Sequence, residues 1–367
     1  MKSITLHHNT EDNQRVTDFL DEPPASIRTS PADFEVEEQL GFELEGQGEH
    51  LWLWIEKEGV NTAWVAENLA RFAACSPREV GVSGLKDRHA IARQWFSVPV
   101  KKLDLQRLEK GMVLGDTGQA GRITLLSWAL HSRKLRRGTH RANRFKIRVR
   151  DIHSDRSLLE ARLHRIATTG VPNYFGEQRF GHNGENVNRC LALAGEAGNG
   201  DKRKGKKLSR NKRSLYLSAG RSWLFNQVLS QRVQQRTWNQ ALPGDLMQLS
   251  GSRSHFLAET VDAEIHNRVN QMDIHPTGPL WGRDKPATRG AVAEEEQAVA
   301  GQWSELVAIL EREGLKQERR SLRLEIEQLE WQFLDTDLEL RFDLVAGGFA
   351  TALLRELLPC LDAQRSW

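Results

Sequence analysis

The chain has 367 residues, of which 39% are hydrophobic and 28% are charged, a composition typical of a globular protein rather than a disordered or fibrous one. Its longest apolar runs, such as Leu51–Ile55, are far too short to span a bilayer, and its N-terminus has no apolar segment behind a basic start. We therefore expect a cytoplasmic protein with no membrane segment, long enough for two domains.

The formal net charge of +3 hides an uneven distribution of basic residues. The segment His131–Arg150 holds nine Lys or Arg and no acid, and the segment Asp201–Arg213 holds eight with one acid. The rest of the chain carries 35 basic and 48 acidic residues. Two concentrated basic segments on an acidic body are typical of a protein that binds a phosphate backbone.

Hydrophobic patterns predict the first elements of the chain. Strands are expected at Phe34–Gln39 and His50–Gly59, followed by a helix with Thr62 as its N-cap, and then by a strand over Ala92–Val100. A further strand is expected around Phe145–Val149, where apolar side chains alternate with basic ones. Its basic face is either a binding surface or a solvated edge guarded by charge.

The hydrophobic pattern of the sequence changes after a helix that is expected to end at Gly170. A loop rich in glycine and aromatic residues follows, then mostly helical segments, including one long amphipathic stretch over Glu294–Leu322. Near the C-terminus, alternation over Leu338–Leu344 predicts a strand, a turn at Gly347-Gly348 and a final helix. This pattern indicates a domain boundary near residue 169.

The cysteines and histidines give no sign of a metal or disulfide site. Cys75, Cys190 and Cys360 lie far apart in apolar surroundings without any CxxC pair, which predicts reduced core residues. The twelve histidines show no ligand spacing. We therefore expect neither a metal nor a thiol nucleophile.

The stretch GVSGLKDRHAIARQWFSV, Gly81–Val98, places one acid, Asp87, among several cations. Nearby cations favour the ionised form of a carboxyl group, and an ionised aspartate can act as a nucleophile or a base without a cofactor. Neither a second carboxylate nor a metal-binding set lies near it in the sequence. The local pattern therefore fits a catalytic carboxylate or an ordinary surface turn.

Four motifs, in order along the chain, resemble those of one family. They are GLKDRHA at Gly84–Ala90, VPNYFGEQRFG at Val171–Gly181, NKRSLYLSAGRSWLFNQVLSQR at Asn211–Arg232 and AGGFATALLREL at Ala346–Leu357. Together they resemble the TruD family of tRNA pseudouridine synthases. The resemblance covers nearly the whole chain, apart from the first thirty residues and the loop Gly195–Ser209.

The resemblance implies an isomerase that converts a D-arm uridine of tRNA to pseudouridine without a cofactor, by breaking the glycosidic bond and rejoining the base through C5. It implies an α+β fold, in which a pseudouridine-synthase catalytic domain with a mixed, largely antiparallel sheet and flanking helices is interrupted by an inserted α/β domain. The expected segments are 1–168 and 320–367 for the catalytic domain and 169–319 for the insertion. We expect tRNA as partner, no obligate protein partner and a monomer.

Residue by residue, the resemblance assigns the catalytic aspartate to Asp87 and uridine contacts to Phe34, Asn143 and Phe349. Arg28 is the nearest match to the basic residue that holds the carboxylate ionised. Each assignment has an alternative. The phenylalanines could be core residues, Asn143 could be a plain turn residue, and Arg28 could be an ordinary exposed arginine.

RNA contacts are expected at Lys146, Arg148 and Arg150 on the basic strand face, and at Arg179 in the second motif, which is otherwise a structural hinge. His89, next to Asp87, is expected to make a structural hydrogen bond rather than to act as a base.

Two other functions fit part of the sequence. A non-catalytic RNA-binding or chaperone protein would show the same charge asymmetry, and a metal-independent hydrolase could be built on Asp87. The Asp87 motif with its aromatic companions favours the isomerase, because a hydrolase would require a partner carboxylate, serine or cysteine in a recognisable array.

Overall fold

The structure, a computed structural model, describes residues 13–19, 22–100, 121–196 and 208–364. Its strands, in chain order, are β1 (Ala25–Ile27), β2 (Phe34–Gln39), β3 (His50–Glu58), β4 (Gly81–Val82), β5 (Ile91–Pro99), β6 (Arg122–His131), β7 (Ala142–Arg150), β8 (Val171–Pro172), β9 (Asp245–Leu249), β10 (His255–Ala258), β11 (Ile274–Leu280), β12 (Glu318–Ser321), β13 (Arg323–Leu324), β14 (Glu327–Leu334), β15 (Asp337–Val345) and β16 (Cys360–Asp362). Its α-helices are α1 (Thr62–Phe72), α2 (Arg156–Thr169), α3 (Glu185–Glu196), α4 (Arg210–Gln234), α5 (Ala263–Asn270), α6 (Gly290–Gln302), α7 (Ser304–Arg312) and α8 (Ala350–Leu357).

The described residues form two compact units. The sheet unit contains those of 19–160, 326–350 and 358–364, and the insert unit contains those of 13–18, 161–325 and 351–357. The division of the chain at residues 169 and 319 stays a prediction. Among the described helices, none has the length and apolar character needed to cross a bilayer.

The insert unit contains a sheet, as the α/β insertion implied by the resemblance requires, although the hydrophobic pattern after residue 169 indicated mostly helical segments. Four strands pair in the order β10-β9-β11-β12, and β13 pairs with β8. The expectation of one long helix over Glu294–Leu322 was wrong. Helix α6 ends before Trp303, whose backbone leaves the helical region (φ −119°, ψ 34°), and α7 ends before Gly314, whose φ is +72°. Trp303 packs edge-on against Trp223, with 5.4 Å between the rings.

The sheet unit is built on a ten-stranded mixed sheet with the central order β14-β15-β7-β2-β5-β3-β6. The pairs β1–β16 and β2–β5 are parallel, and the other pairs are antiparallel. This arrangement confirms the predicted α+β class with a mixed, largely antiparallel sheet. The alternation predicted for β2 and β7 is also confirmed, because their apolar residues lie buried on one face, and the strand predicted at Ala92–Val100 is present as β5.

Helix α1 packs on this face, which we call the core face of the sheet. Val65 and Leu69 of α1 join the buried core formed by residues such as Leu53 of β3 and Phe96 of β5. The predicted cap of the helix was wrong by one residue. The side chain of Asn61 accepts a hydrogen bond from the Trp64 amide at 2.7 Å.

Four polar side chains lie on the core face among these apolar residues: Glu38 of β2, Lys57 of β3, Gln94 of β5 and Asn143 of β7. We call them the polar cluster. Glu38 of β2 lies opposite Asn143 in the register of β2 with β7. The four side chains belong to residues that are between 0 and 8% exposed. Because a buried polar group without a partner costs several kcal/mol, this cluster requires partners from elsewhere in the chain.

The segment that links β4 to β5, Ser83–Ala90, supplies those partners. The Lys57 ammonium donates to the carbonyl oxygens of Asp87, at 2.6 Å, and Val60, at 2.9 Å. Glu38 binds the Lys86 ammonium at 2.6 Å, and the Gln94 amide donates to the Gly84 carbonyl at 3.2 Å. The burial of polar groups on the core face thus fixes the conformation of the linking segment.

Burial lowers the pKa of Lys57 to about 8, although the charge of Asp87 counteracts part of this effect. An unfolded lysine titrates near 10.4. Between these two values the unfolded chain binds more protons than the folded chain, so stability rises with pH.

We predict that the stability difference between the wild-type protein and Lys57→Met changes between about pH 8 and pH 10, in favour of the wild type by up to about 3 kcal/mol. The measurement is the free energy of unfolding in urea at several pH values. The exposed control Lys285→Met should differ from the wild type by a constant amount. A pH-independent difference for Lys57→Met would contradict the assignment of a buried, proton-binding lysine.

Candidate active site

Asp87 lies in the linking segment with its side chain 21% exposed. Carboxylate atom Oδ2 lies 3.2 Å from Nη1 of Arg28, and Oδ1 accepts a hydrogen bond from the backbone amide of His89 at 3.0 Å. The Lys57 ammonium meanwhile binds the Asp87 backbone carbonyl. Both the backbone and the carboxylate of Asp87 are therefore held in place, with part of the carboxylate surface open to solvent.

Arg28 follows β1 and is itself buried, with a side chain 7% exposed. Its backbone has φ +57°, which lies in a region that residues other than glycine rarely adopt. The parallel pairing of β1 with β16 sets Ile27 opposite Asp362, whose Oδ2 lies 2.9 Å from the same Arg28 nitrogen. The structure thus brings Arg28 to Asp87, and it adds Asp362 near the C-terminus, which the sequence analysis missed.

Phe34 lies directly beneath the Arg28 guanidinium, whose central carbon is 4.2 Å from the ring centroid. The ring also meets Phe145 edge-on at 6.0 Å and is 5% exposed. Phe34 is therefore next to the Arg28–Asp87 pair, but most of its surface is already covered by protein.

Asn143 lies near the start of β7, and Phe349 follows the end of the neighbouring strand β15. Asn143 is 8% exposed, and its Oδ1 has no hydrogen-bond partner among the described residues. The neighbouring strand β15 runs antiparallel to β7, and the Ala346 amide donates to the Arg141 carbonyl at 3.0 Å where β15 ends. Phe349 follows three residues later and is half-buried.

Helix α1 also fixes the segment that carries Asp87. The Thr62 hydroxyl accepts from the Lys86 amide at 3.0 Å and donates to the Gln94 side-chain oxygen at 3.0 Å. Burial raises the pKa of Glu38, and the adjacent Lys86 ammonium counteracts part of that effect. The loop around Asp87 is thus anchored by side chains of β2, β3, β5 and α1.

A signal in the sequence could have revealed the polar cluster. In each strand, one polar residue occupies the same alternation phase as the apolar residues, as Lys57 does after Leu53 and Ile55, and Glu38 after Phe34 and Val36. A polar residue in an apolar phase must find a buried partner. Of the four residues, only Asn143 was singled out from the sequence, and Glu38, Lys57 and Gln94 were missed.

The basic residues of β7 lie on the face of the sheet opposite the core face, where acids of neighbouring strands and of the turn before β2 bind them. Lys146 lies 3.2 Å from Glu35, and Arg148 lies 2.8 Å from Asp337. Arg150 lies 2.7 Å from Asp33. The RNA contacts expected at Lys146, Arg148 and Arg150 stay predictions, since these ion pairs would compete with phosphate.

Arg179 belongs to the insert unit. It donates to the Ser218 hydroxyl at 3.2 Å and stands 5.2 Å from the ring centroid of Phe175, and burial lowers its pKa. Its role in RNA binding also stays a prediction. The basic residues of 201–207 lie outside the described residues.

Comparisons with known proteins agree on one family. The family model described as tRNA pseudouridine synthase D matches residues 20–194 and 189–357. A tRNA pseudouridine synthase D from Hydrogenovibrio crunogenus is 43% identical over 338 residues, covering 92% of this chain and 93% of that protein. One from Ectopseudomonas mendocina is 46% identical over 342 residues, covering 92% of each chain.

A solved structure shares the fold. The Methanosarcina mazei protein solved as a tRNA pseudouridine synthase D superposes with a TM-score of 0.68 at 21% identity, covering 94% of this chain and 96% of that one. The resemblance predicted from the four motifs is therefore confirmed, and the chain belongs to the TruD family of tRNA pseudouridine synthases.

Proposed function

We propose that this protein isomerises a D-arm uridine of tRNA to pseudouridine, with the Asp87 carboxylate as the reacting group and without a cofactor. The observation that carries the proposal is the contact of Asp87 with buried Arg28, on a segment whose backbone is fixed by the polar cluster. A positioned carboxylate with an open surface is what a cofactor-free reaction at a nucleoside requires.

The proposed reaction is balanced within the nucleotide itself. The bond from uracil N1 to ribose C1′ breaks, the base turns, and a bond from C5 to C1′ forms. The hydrogen on C5 is lost and N1 gains one, so substrate and product are isomers and no oxidant or reductant is consumed. Arg28 favours the ionised carboxylate, the form that acts as a nucleophile or a base.

Asn143 is suited to hold the uracil edge. Its buried side-chain oxygen lacks a partner among the described residues, and uracil offers an N3–H donor next to two carbonyl acceptors. An amide side chain can accept from the first and donate to one of the others. A bound uridine would therefore remove the cost of leaving this buried acceptor unpaired.

Phe349 is the better candidate for an aromatic platform under the base. A base taken out of its stack loses its neighbours, and an aromatic face replaces them with about 1 to 3 kcal/mol per base. Phe349 is half-buried, whereas Phe34 is covered by Arg28 and Phe145. We assign Phe34 to the wall of the site, beneath the Arg28–Asp87 pair.

The proposal also includes the location, the substrate and the oligomeric state of the protein. We place the protein in the cytoplasm, where it acts on tRNA as a monomer without an obligate protein partner. Phosphate contacts supply most of the affinity in complexes with nucleic acids, so loss of the reacting group should leave tRNA binding largely intact.

We predict that Asp87→Asn, which is nearly isosteric but neutral, abolishes pseudouridine formation while the Kd for tRNA stays within about three-fold of the wild-type value. The assay is single-turnover conversion of a purified tRNA, with each pseudouridine mapped to its position. Glu37→Gln, which also removes one carboxylate, on the opposite sheet face, is the matched control and should remain active.

Three outcomes separate the alternatives. Substantial conversion by Asp87→Asn would show that another group reacts. If the wild-type protein binds tRNA but converts no uridine, the alternative of a non-catalytic RNA-binding protein is favoured. Conversion confined to a site outside the D-arm would reject the proposed position while keeping the chemistry.

A further inference from the structure

The loop between β6 and β7, Ser132–Arg141, contains four exposed arginines. Arg141 lies 3.7 Å from Glu327, which leaves Arg133, Arg136 and Arg137. Among the described residues, no carboxylate forms an ion pair with any of the three. Glu45, the acid nearest in the hydrogen-bond network, binds the amide and hydroxyl of Ser132 at 3.1 and 3.0 Å. The positive charge of this loop is therefore available to an external anion.

The loop and strand β7 differ in the ion pairs that their basic residues form, not in their content of basic residues. Both belong to the basic segment His131–Arg150, but the strand residues Lys146, Arg148 and Arg150 each bind an acid of a neighbouring strand. A phosphate that approaches the strand must compete with a carboxylate in an ion pair, whereas no carboxylate of the described residues forms an ion pair with the three loop arginines, although the charge of Glu45 is near enough to Arg133 to interact with it. Within the described residues, the three loop arginines are thus less engaged by carboxylates than the basic residues of β7.

The loop backbone is fixed although its arginine side chains are exposed. Leu135 is buried, and its amide donates to the Ser97 hydroxyl at 2.9 Å. The Arg133 carbonyl accepts from the indole of Trp52 at 2.8 Å, and the Thr139 hydroxyl donates to the Arg136 carbonyl at 2.6 Å. Charges on a fixed backbone lose less conformational entropy on binding than charges on a flexible chain.

Hydrogen bonds also join the loop to the segment that carries Asp87. The Gly138 amide donates to the Ser83 carbonyl at 2.9 Å, and the His140 amide donates to the Ser83 hydroxyl at 2.9 Å. Asp87 follows Ser83 by four residues, a distance of at most about 14 Å of extended chain. An RNA strand that delivers a nucleotide to Asp87 therefore passes close to this loop.

We propose that Arg133, Arg136 and Arg137 bind the phosphates of the RNA next to the target uridine, so that the loop is the main electrostatic contact of the sheet unit with its substrate. This inference rests on the proposed function, because it takes the substrate to be an RNA that enters at Asp87. Arg and phosphate form strong, charge-assisted hydrogen bonds.

The test compares two triple variants that remove the same charge. One is Arg133→Gln with Arg136→Gln and Arg137→Gln. The control is Arg236→Gln with Arg253→Gln and Arg283→Gln, which neutralises three exposed arginines of the insert unit. The Kd for tRNA is measured at several salt concentrations, and single-turnover conversion is measured at saturating tRNA.

We expect the loop variant to lose about 0.7 to 0.9 in the log–log salt slope for each phosphate contact removed, and to bind at least ten-fold more weakly near 0.1 M salt. Its rate at saturation should stay within two-fold of wild type, as should its urea midpoint, since none of the three side chains is buried. The control should keep the wild-type slope.

An unchanged slope in the loop variant, or an equal loss in both variants, would overturn the proposal. A reduced saturating rate with an unchanged slope would also overturn it, because the arginines would then act on the chemistry rather than on binding. Since the slope is measured without turnover, the result stays distinct from a failure of the proposed isomerase activity, which would appear as a lack of conversion by the wild-type protein.

Discussion

The ion pair between Arg28 and Asp87 is the interaction on which the arrangement of this site depends. A carboxylate that is partly removed from water becomes easier to protonate unless a cation lies beside it. Here the cation comes from a residue with positive φ, and it is shared with Asp362 from the opposite end of the chain. The pairing of β1 with β16 is therefore as important to the site as the segment that carries Asp87.

The polar cluster is the second constraint. Buried Lys57, Glu38 and Gln94 lower stability unless their hydrogen bonds are completed, and the linking segment completes them through the backbone of Gly84 and Asp87 and the side chain of Lys86. The same bonds hold Asp87 in one position. Asn143 is the exception, because its side-chain oxygen lacks a partner within the described residues, which is why it is suited to bind a ligand.

Sequence patterns predicted five of the ten described strands of the large sheet, namely β2, β3, β5, β7 and β15, and the resemblance assigned the catalytic role to Asp87, but they revealed only part of its surroundings. Alternation predicted β2 and β7 because one face of each strand is buried, and the motifs assigned the catalytic role to Asp87. Periodicity cannot show which strands pair, so the acids that neutralise Lys146, Arg148 and Arg150 remained hidden, as did Asp362. The break at Trp303 was missed because an amphipathic pattern continues across it, although tertiary packing of the tryptophan ends the helix.

The most direct test of the central claim is the pH dependence of single-turnover conversion in Arg28→Gln and Arg28→Lys. If Arg28 keeps Asp87 ionised, the neutral variant should be slower, and its activity should be lost at a higher pH than that of the wild type as the solution is acidified. Arg28→Lys, which retains the charge, should lie closer to the wild-type profile. A profile for Arg28→Gln that coincides with the wild-type profile in both rate and pH would contradict the claim that this ion pair sustains the reaction.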